Sequence, residues 1–313
     1  MPAILWDGAM LRHLFLGLSR SDRAWALARR SAALRPVLRR FVAGETMDEG
    51  LTAAAGLRAG GIDATLDLLG EATESEDGAR RAARGYVEVL NGIFHRGLRS
   101  HVSLKLSQMG LDLSEDLAAE LLGLICRTAA AVGTFVRVDM EDSGRLPPTL
   151  RVFERVLRFG VRNVGIVLQA YLLRTPEDLQ RYIRQGVSIR LCKGAYAESP
   201  TVAYARKADV DAAYGRLAEQ LLLYGHAPAI ATHDERLIRR AREFAASRGL
   251  AKDRFEFQFL YGIRRDLQER LVADGYRVRV YVPFGTHWYP YFMRRLAERP
   301  ANVVFIARHL IGA

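Results

Sequence analysis

The sequence alternates short apolar runs with longer amphipathic segments, and this alternation limits the possible folds more than any other feature. The runs have the composition of buried strands, and they span residues 64–69, 102–106, 135–138, 164–168, 187–192, 229–232, 255–260 and 278–282. The segments between them carry helix start and stop signals, such as Ser114 and Gly133 or Asp234 and Gly249. Strands and helices that alternate at roughly 30-residue spacing predict parallel βα units.

A closed (βα)8 barrel, an α/β fold of the TIM type, is the arrangement that we predict from these eight units. The length of 313 residues is within the range of such barrels. A doubly wound open sheet is the alternative. We consider it weaker because no Gly-x-Gly-x-x-Gly motif follows any of the predicted strands.

Residues 1–43 differ from the rest and predict an N-terminal helical arm, ahead of a barrel formed by residues 44–313. Apolar residues recur at helical spacing from Leu5 to Leu18, and arginines follow as far as Arg40. Thr46 and Glu49 then form a capping-box motif that opens a helix. We expect the arm to pack on the barrel, and the alternative is an arm that lies on an anionic membrane surface.

The net charge of +11, with 46 lysine and arginine residues, is typical of proteins that bind nucleic acid, a membrane surface or an anionic cofactor. The arginines are spread over all helical segments and form no stripe, so we expect no nucleic-acid partner. Cys126 and Cys192 lack the spacing of metal ligands, which argues against a zinc site. No apolar run approaches the roughly 20 residues of a membrane-spanning helix, and the start lacks a signal-peptide pattern. We therefore expect a soluble, cytoplasmic protein.

Polar or ionisable residues follow each predicted strand at its carboxyl end, which is the end that carries the chemistry in barrels. In chain order they are Glu71, Lys105 and Gln108, Asp139 and Asp142, Gln169 and Tyr171, Arg190 and Lys193, His233 and Asp234, Gln258 and Tyr261, and Tyr281. The sequence therefore predicts an active site at this rim.

Residues 286–300 predict a short helix with two distinct faces, ended by Pro300. Its polar face comprises Tyr291, Arg294, Arg295 and Glu298, and its apolar stripe comprises Trp288, Phe292 and Leu296. Residues three and four apart are neighbours on a helix, so the stripe can anchor the helix while the polar face stays available. Two adjacent guanidinium groups offer paired donors for a carboxylate or a phosphate.

The residue types at the rim leave two enzyme classes open. A lysine Schiff-base aldolase would use Lys105 or Lys193, which both lie on strands. Alternatively, the Lys193-Gly194-Ala195 turn would hold an anionic cofactor. A metal-dependent hydrolase is disfavoured because His233 is the one rim histidine and the carboxylates are scattered.

The motifs at the rim resemble those of the proline dehydrogenase family over roughly residues 41–300, with one motif for each strand. They are Asp-Leu-Leu-Gly-Glu71, Ser-Leu-Lys105-Leu-Ser-Gln, Arg137-Val-Asp139-Met-Glu-Asp, Gly165-Ile-Val-Leu-Gln169, Arg190-Leu-Cys-Lys193-Gly-Ala-Tyr, Ala231-Thr-His-Asp, Glu256-Phe-Gln-Phe-Leu-Tyr-Gly and Tyr291-x-x-Arg294-Arg295-x-x-Glu298. The resemblance implies a (βα)8 barrel with non-covalent FAD at the strand carboxyl ends. It implies oxidation of L-proline to 1-pyrroline-5-carboxylate, with a membrane quinone reoxidising the flavin.

The resemblance also implies roles for individual residues. Asp139 and Arg190 would be catalytic, and the substrate would be bound by Lys105, Leu260, Tyr281, Tyr291, Arg294 and Arg295. The FAD would be bound by Met140, Gln169, Arg190, Lys193, Gly194, Ala195, Thr232 and His233. Glu71 and Glu298 would pair with the two arginines and fix their conformations. No metal is implied.

Bifunctional relatives in this family carry a second, aldehyde-oxidising dehydrogenase domain, for which 313 residues leave no room. We therefore expect a separate pyrroline-5-carboxylate dehydrogenase to accept the product. Use of a membrane quinone adds the expectation of peripheral contact with the inner face of the membrane.

Overall fold

The computed structural model of the chain describes residues 35–298, and it describes the side chains of residues 38–295. In this part the strands are β1 (Asp63–Leu68), β2 (His101–Leu104), β3 (Val136–Val138), β4 (Val164–Gln169), β5 (Ser188–Cys192), β6 (His226–Ala231), β7 (Glu256–Leu260) and β8 (Arg277–Phe284). All pair in parallel in chain order, and β1 closes the ring against β8. This confirms the predicted (βα)8 barrel.

The helices of the described part alternate with the strands from β1 onward. They are α1 (Arg35–Phe41), α2 (Met47–Ala59), α3 (Glu76–His95), α4 (Glu115–Ala131), α5 (Leu146–Arg158), α6 (Thr175–Arg184), α7 (Lys207–Tyr224), α8 (Glu235–Ser247), α9 (Arg265–Ala273) and α10 (Trp288–Glu298). The predicted capping box is confirmed at α2, where Glu49 N donates to Thr46 Oγ1 at 3.3 Å and Thr46 N donates to Glu49 Oε2 at 3.0 Å. None of the helices in residues 35–298 is long and apolar enough to cross a membrane.

The barrel interior is polar, whereas the large apolar core lies between the strands and the surrounding helices. Strand residues such as Leu66 and Ile166 are fully buried in that outer core. Side chains of strands that are not neighbours in the sheet can meet only inside the barrel. The side chains that meet there include charged residues. Arg190 of β5, for example, contacts Asp139 at the end of β3. Branched apolar residues usually fill the inside of such barrels, so this interior is suited to chemistry as well as to packing.

Helix α1 packs against α10, which follows the last strand. A separate apolar cluster joins them, and it contains Leu38, Phe41, Val42, Leu69, Trp288, Tyr289, Tyr291, Phe292 and Met293. Two polar contacts support it: Trp288 Nε1 donates to Glu45 Oε1 at 2.9 Å, and Gly285 N donates to Gly44 O at 3.0 Å. Trp288 and Phe292 therefore anchor α10 as the sequence predicts, whereas the side chain of Leu296 lies outside the described part. Within the predicted arm, residues 1–34 also lie outside it.

Candidate active site

Asp139, which directly follows β3, is the centre of a buried hydrogen-bond network. Its Oδ1 accepts from Ser103 Oγ at 2.7 Å and from Arg190 Nη1 at 2.8 Å. Its Oδ2 accepts from Tyr281 OH at 2.8 Å. Three other strands, β2, β5 and β8, therefore direct side chains to this one carboxylate, which is held in place with both oxygens occupied. The arrangement brings together three residues of the predicted site, Asp139, Arg190 and Tyr281.

The same network extends from Arg190 towards the other end of the barrel. Arg190 Nε donates to Gln258 Oε1, and Gln258 Nε2 donates to Glu256 Oε1. Arg279 Nε donates to Glu256 at 2.9 Å. Burial opposes the charge of Glu256, but Arg279 outweighs it and lowers the pKa of Glu256 to about 2. Arg190 is thus fixed from both sides, by Asp139 and by Gln258.

Lys105 follows β2 and directs its ammonium group into the same space. Its Nζ lies 3.7 Å from Asp67 Oδ2, and the side chain is largely buried. Burial alone would lower the pKa of Lys105, but the charges of Asp67 and Asp139 outweigh it and raise that pKa. Tyr196 and Arg294 are close enough for their charges to act on Lys105 as well. Lys105 is therefore a cation that faces the helix α10.

The lysines of the site do not fit a Schiff-base mechanism. A lysine that attacks a carbonyl needs a neutral amine and therefore a lowered pKa, and the pKa of Lys105 is raised. Lys193 Nζ forms ion pairs with Asp211 at 2.5 Å and with Asp234 at 3.1 Å. Both lysines are held as ion-pair partners, which argues against the aldolase alternative.

The predicted polar face of α10 lies at the mouth of the barrel. Arg294 and Arg295 are half-buried, and Tyr291 is buried. The Arg295 guanidinium lies over the Tyr291 ring, with Cζ 5.2 Å from the ring centroid. The charge of Arg294 is close enough to act on Lys105. The helix thus brings its paired guanidinium groups towards the strand ends.

The structure does not bring Glu71 into this cluster. Glu71 is exposed and forms no ion pair with the described side chains, and the side chain of Glu298 lies outside the described part. In this structure Glu71 therefore does not pair with Arg294 or Arg295, whereas the predicted pairing of Glu298 stays a prediction.

Gln169 ends β4 next to the strand that carries Arg190, and it is suited to bind a flavin. Its side chain is 3% exposed, and within the described part no hydrogen-bond donor reaches Oε1. A buried acceptor without a donor is unfavourable by about 1 to 3 kcal/mol. A ligand N–H group would satisfy it, and the isoalloxazine ring of a flavin has one at N3. The residues present therefore fit the implied cofactor at this point.

The turn after β5 provides a second feature that fits the cofactor. Gly194 has a φ of +112°, and a Cβ there would lie 2.2 Å from Cδ1 of Tyr171. Its neighbours Lys193 and Ala195 are half-buried at the rim. Tyr171 N donates to Lys193 O at 2.9 Å, which fixes the turn on the end of β4. A glycine turn beside a lysine is a common cradle for the anionic part of a nucleotide.

The charges beside this turn favour an anion. Lys193, Lys207 and Arg236 surround Asp211 and Asp234, so three cations share two carboxylates. Hydrogen bonds from Arg236 and Lys193 overcome the opposing effect of burial and lower the pKa of Asp234. The cluster keeps one net positive charge at the rim.

The remaining predicted cofactor residues lie directly after β6 and shortly after β3. Thr232 Oγ1 accepts from Asp234 N at 3.1 Å, and His233 Nε2 accepts from Leu260 N at 3.0 Å. The second bond joins a predicted cofactor residue to a predicted substrate residue on the next strand. Met140 is buried directly after Asp139.

Sequence reasoning missed Asp67, Ser103 and the contact of Gln258 with Arg190. All three side chains are buried and directed into the barrel. The available signal was the alternation of residues along β1, where Thr65 and Asp67 interrupt an apolar run at every second position. Within residues 35–298, no group of three or more His, Cys, Asp or Glu side chains is placed to hold a metal ion.

Comparisons with known proteins agree on one family. The family model described as "Proline dehydrogenase" matches residues 51–308. Proline dehydrogenase 1 of Bacillus subtilis (strain 168) is 40% identical over 302 residues, which are 96% of this chain and 99% of that protein. The proline dehydrogenase of Deinococcus radiodurans is 43% identical over 276 residues, or 87% of this chain and 89% of that protein.

A solved structure supports the same assignment. Proline utilization A from Bdellovibrio bacteriovorus, inactivated by N-propargylglycine, matches with a TM-score of 0.79 and 27% identity. The match covers 93% of this chain and 36% of that chain, so this protein corresponds to about a third of the larger one.

Proposed function

The chain belongs to the proline dehydrogenase family and is a proline oxidoreductase of proline catabolism, and from this premise we propose the finer chemistry. L-Proline is oxidised to 1-pyrroline-5-carboxylate, non-covalently bound FAD would supply the two-electron acceptor, and a membrane quinone would be the final electron acceptor. The new double bond of this product joins the ring nitrogen to Cδ. The hydride therefore leaves Cδ, the ring carbon on the far side of the nitrogen from the carboxylate-bearing Cα.

The observation that carries the proposal is the convergence of Lys105, Asp139, Arg190, Tyr281 and Arg294 at one end of the barrel. Proline is a small zwitterion with an apolar ring, and a site for it needs cations, a carboxylate and an apolar wall. This convergence supplies charged groups from four separate elements, and Tyr281 adds an aromatic ring from a fifth. A site of fixed charges binds such a substrate in one orientation, which is the main requirement for transfer of a hydride.

In this proposal Arg294 and Arg295 bind the proline carboxylate through charge-assisted hydrogen bonds. Lys105, which lies close enough to Arg294 for their charges to interact, adds a third cation. The rings of Tyr281 and Tyr291 contact the apolar ring, together with Leu260 opposite Tyr281 on the neighbouring strand. The substrate is thereby held by its carboxylate at one end, and the carbon that reacts is left at the other.

Asp139 and Arg190 set the electrostatic field beside the reacting carbon. Asp139 already accepts hydrogen bonds from three donors, so its carboxylate is held in one place and acts as a fixed charge for the substrate nitrogen. Arg190 is fixed by Asp139 and Gln258. A guanidinium held in this way stabilises negative charge on a reduced cofactor.

FAD, when bound, supplies the two-electron acceptor that the side chains lack. Gln169 and Arg190 would contact its isoalloxazine ring, and Met140 would pack beside it. The ribityl, pyrophosphate and adenosine parts would be bound by Lys193, Gly194, Ala195, Thr232 and His233. The buried Gln169 Oε1 without a donor and the glycine-only turn at Gly194 support this assignment.

One absorption experiment tests the proposed function. Purified protein should be yellow, and its flavin absorbance should bleach when L-proline is added without oxygen. D-Proline and a primary amino acid serve as controls. Natively folded protein that remains colourless after incubation with excess FAD would contradict the proposal, as would a bound flavin that L-proline does not reduce.

The electron acceptor and the location follow from the same proposal. We place the protein in the cytoplasm, in peripheral contact with the inner face of the membrane, where the reduced flavin can reach a quinone. A separate pyrroline-5-carboxylate dehydrogenase would take up the product. A quinone in liposomes should reoxidise the proline-reduced flavin much faster than liposomes alone, and equal rates would refute the quinone.

A further inference from the structure

Asp67 is a fully buried carboxylate on β1 to which the proposed function gives no role. Its exposed fraction is 0%, and it lies opposite Ser103 on β2 and Pro283 on β8. Tyr86 OH is 3.3 Å from Oδ1. In the described part of the chain no hydrogen-bond donor reaches Oδ2, and Lys105 Nζ, at 3.7 Å, is the cation that pairs with it. Burial raises the pKa of Asp67, and the charge of Lys105 and contacts with Tyr281 and Tyr86 oppose that rise. This carboxylate therefore depends on the neighbouring lysine to stay charged.

The two carboxylates beside Lys105 are held in different ways. Asp139 has three hydrogen-bond donors, and one of them is the cation Arg190. Its charge is therefore balanced without Lys105. Asp67 has no arginine partner in the described part, so its charge is balanced by Lys105. The ammonium group of Lys105 is consequently held by Asp67 on β1 more than by Asp139 after β3.

Lys105 needs such a tie because of the other groups that face it. Arg294 on α10 carries the same charge, and burial also disfavours the ammonium form. Tyr196, from the turn after β5, is neutral at physiological pH because burial raises its pKa. A lysine side chain has a flexible four-carbon stem. Without a buried counter-ion, repulsion by Arg294 would move the ammonium away from the mouth of the barrel or remove its proton.

We propose that Asp67 is a positioning residue for substrate binding, which keeps Lys105 charged and directed at the carboxylate that Arg294 and Arg295 bind. Asp67 does not touch the substrate and acts through Lys105 alone. This inference rests on the proposed function, because it requires that Lys105 contacts the proline carboxylate. Asp67 is thus a fourth charged residue of the proposed carboxylate site, after Arg294, Arg295 and Lys105. It lies on β1, the strand next to the one that Lys105 follows.

The test is a double-mutant cycle on the flavin-loaded protein with the variants Asp67→Asn, Lys105→Met and the combination of both. Calorimetry measures the dissociation constant of cyclopentanecarboxylate, which has the carboxylate and the ring but no reactive amine. Each single variant should raise this dissociation constant about tenfold, as expected for one weakened charge-assisted contact. The combined variant should bind no more weakly than Lys105→Met, since Asp67 then has no lysine through which to act.

Asp63→Asn is the matched control. Asp63 lies on the same strand, but it pairs with Arg58 at 3.1 Å and with Arg279 at 3.4 Å towards the opposite end of the barrel. Its replacement should leave the dissociation constant unchanged. If Asp67→Asn does not fold, Asp67→Ser gives the same test with a smaller neutral side chain.

Three outcomes would overturn the inference. They are unchanged binding in Asp67→Asn, losses that add fully in the combined variant, and a loss of the same size in Asp63→Asn. The proposed function fails separately, if L-proline does not reduce the flavin of the wild-type protein. Wild-type reduction together with unchanged binding in Asp67→Asn rejects the role of Asp67 only.

Discussion

Replacement of Gly194 by alanine is a demanding test of the cofactor turn, because two separate strains would act on one methyl group. Gly194 has a φ of +112°, a region that residues with a side chain rarely occupy. The added Cβ would also lie 2.2 Å from Cδ1, 2.4 Å from Cε1 and 2.6 Å from Cγ of Tyr171. Tyr171 is buried, and its main chain is bonded to Lys193 O and to Tyr204 N. The ring therefore cannot move away without disturbing the turn.

The size of the effect follows from these two strains. An unfavourable φ costs about 1 to 3 kcal/mol, and forcing an extra carbon into a packed site costs about 1 to 3 kcal/mol more. Gly194→Ala should therefore lower the free energy of unfolding by about 2 to 6 kcal/mol. If the turn gives way instead of the whole fold, the loss should appear as weaker FAD binding.

Gly186→Ala is a matched control at the other end of the same strand. Gly186 also has a positive φ, +66°, but a Cβ there would meet no atom within 4 Å. This variant should lose only about 1 to 2 kcal/mol for the left-handed backbone, and its FAD content should match the wild type. Urea unfolding and the ratio of flavin to protein absorbance after dialysis measure both quantities. Our reasoning is refuted if Gly194→Ala equals Gly186→Ala in stability and in FAD content.

Two further variants test the substrate site and the interior network. Arg295→Met should raise the KM for L-proline by an amount equivalent to roughly 2 to 4 kcal/mol, because it removes one of the two guanidinium groups proposed to bind the carboxylate. Unchanged steady-state kinetics would show that another face of α10 binds the substrate. Glu256→Gln should lower the free energy of unfolding at pH 7 by about 3 to 5 kcal/mol, since it removes the nearer carboxylate partner of the buried Arg279, at 2.9 Å, and leaves the more distant Asp63, at 3.4 Å. The pKa of Glu256 is lowered from 4.5 to about 2, so its stabilisation is complete above pH 4.5 and is lost as the pH falls towards 2. The difference between wild type and Glu256→Gln in urea unfolding should therefore shrink in acid, and a difference that does not change with pH would contradict the charged pair.

The positions of the strands could be predicted from the sequence because one face of each strand packs on helices. The run at residues 164–168, for example, is found as β4 (Val164–Gln169) with every residue buried. The helix start at Thr46 was equally predictable, since a capping box is a local interaction of side chains with nearby backbone. Short-range chemistry of this kind does not depend on the rest of the fold.

The partners of the charged residues could not be predicted in the same way. Lys105 faces Asp67 because β1 and β2 pair in one particular register, with Asp67 opposite Ser103. Lys193 is tied to Asp211 on α7 and to Asp234 before α8, which depends on how those helices pack. A shift of one residue in a strand turns its side chains to the other face. Sequence reasoning identified the charged residues at the rim, but the ion pairs required the three-dimensional register.

The closure of β1 against β8 has a consequence for the order in which the site forms during folding. The two strands pair from Asp63 opposite Arg279 to Leu68 opposite Phe284, although the paired residues are 216 positions apart in the chain. Contacts of such high sequence separation form late, because the loop-closure entropy is lost before they contribute. The proposed cofactor residues lie on or shortly after β3, β4, β5 and β6, which are consecutive, whereas the proposed proline site also needs β2, β8 and α10. A chain emerging from the ribosome can therefore assemble the proposed cofactor side first, and its proposed proline pocket becomes complete only when α10 docks.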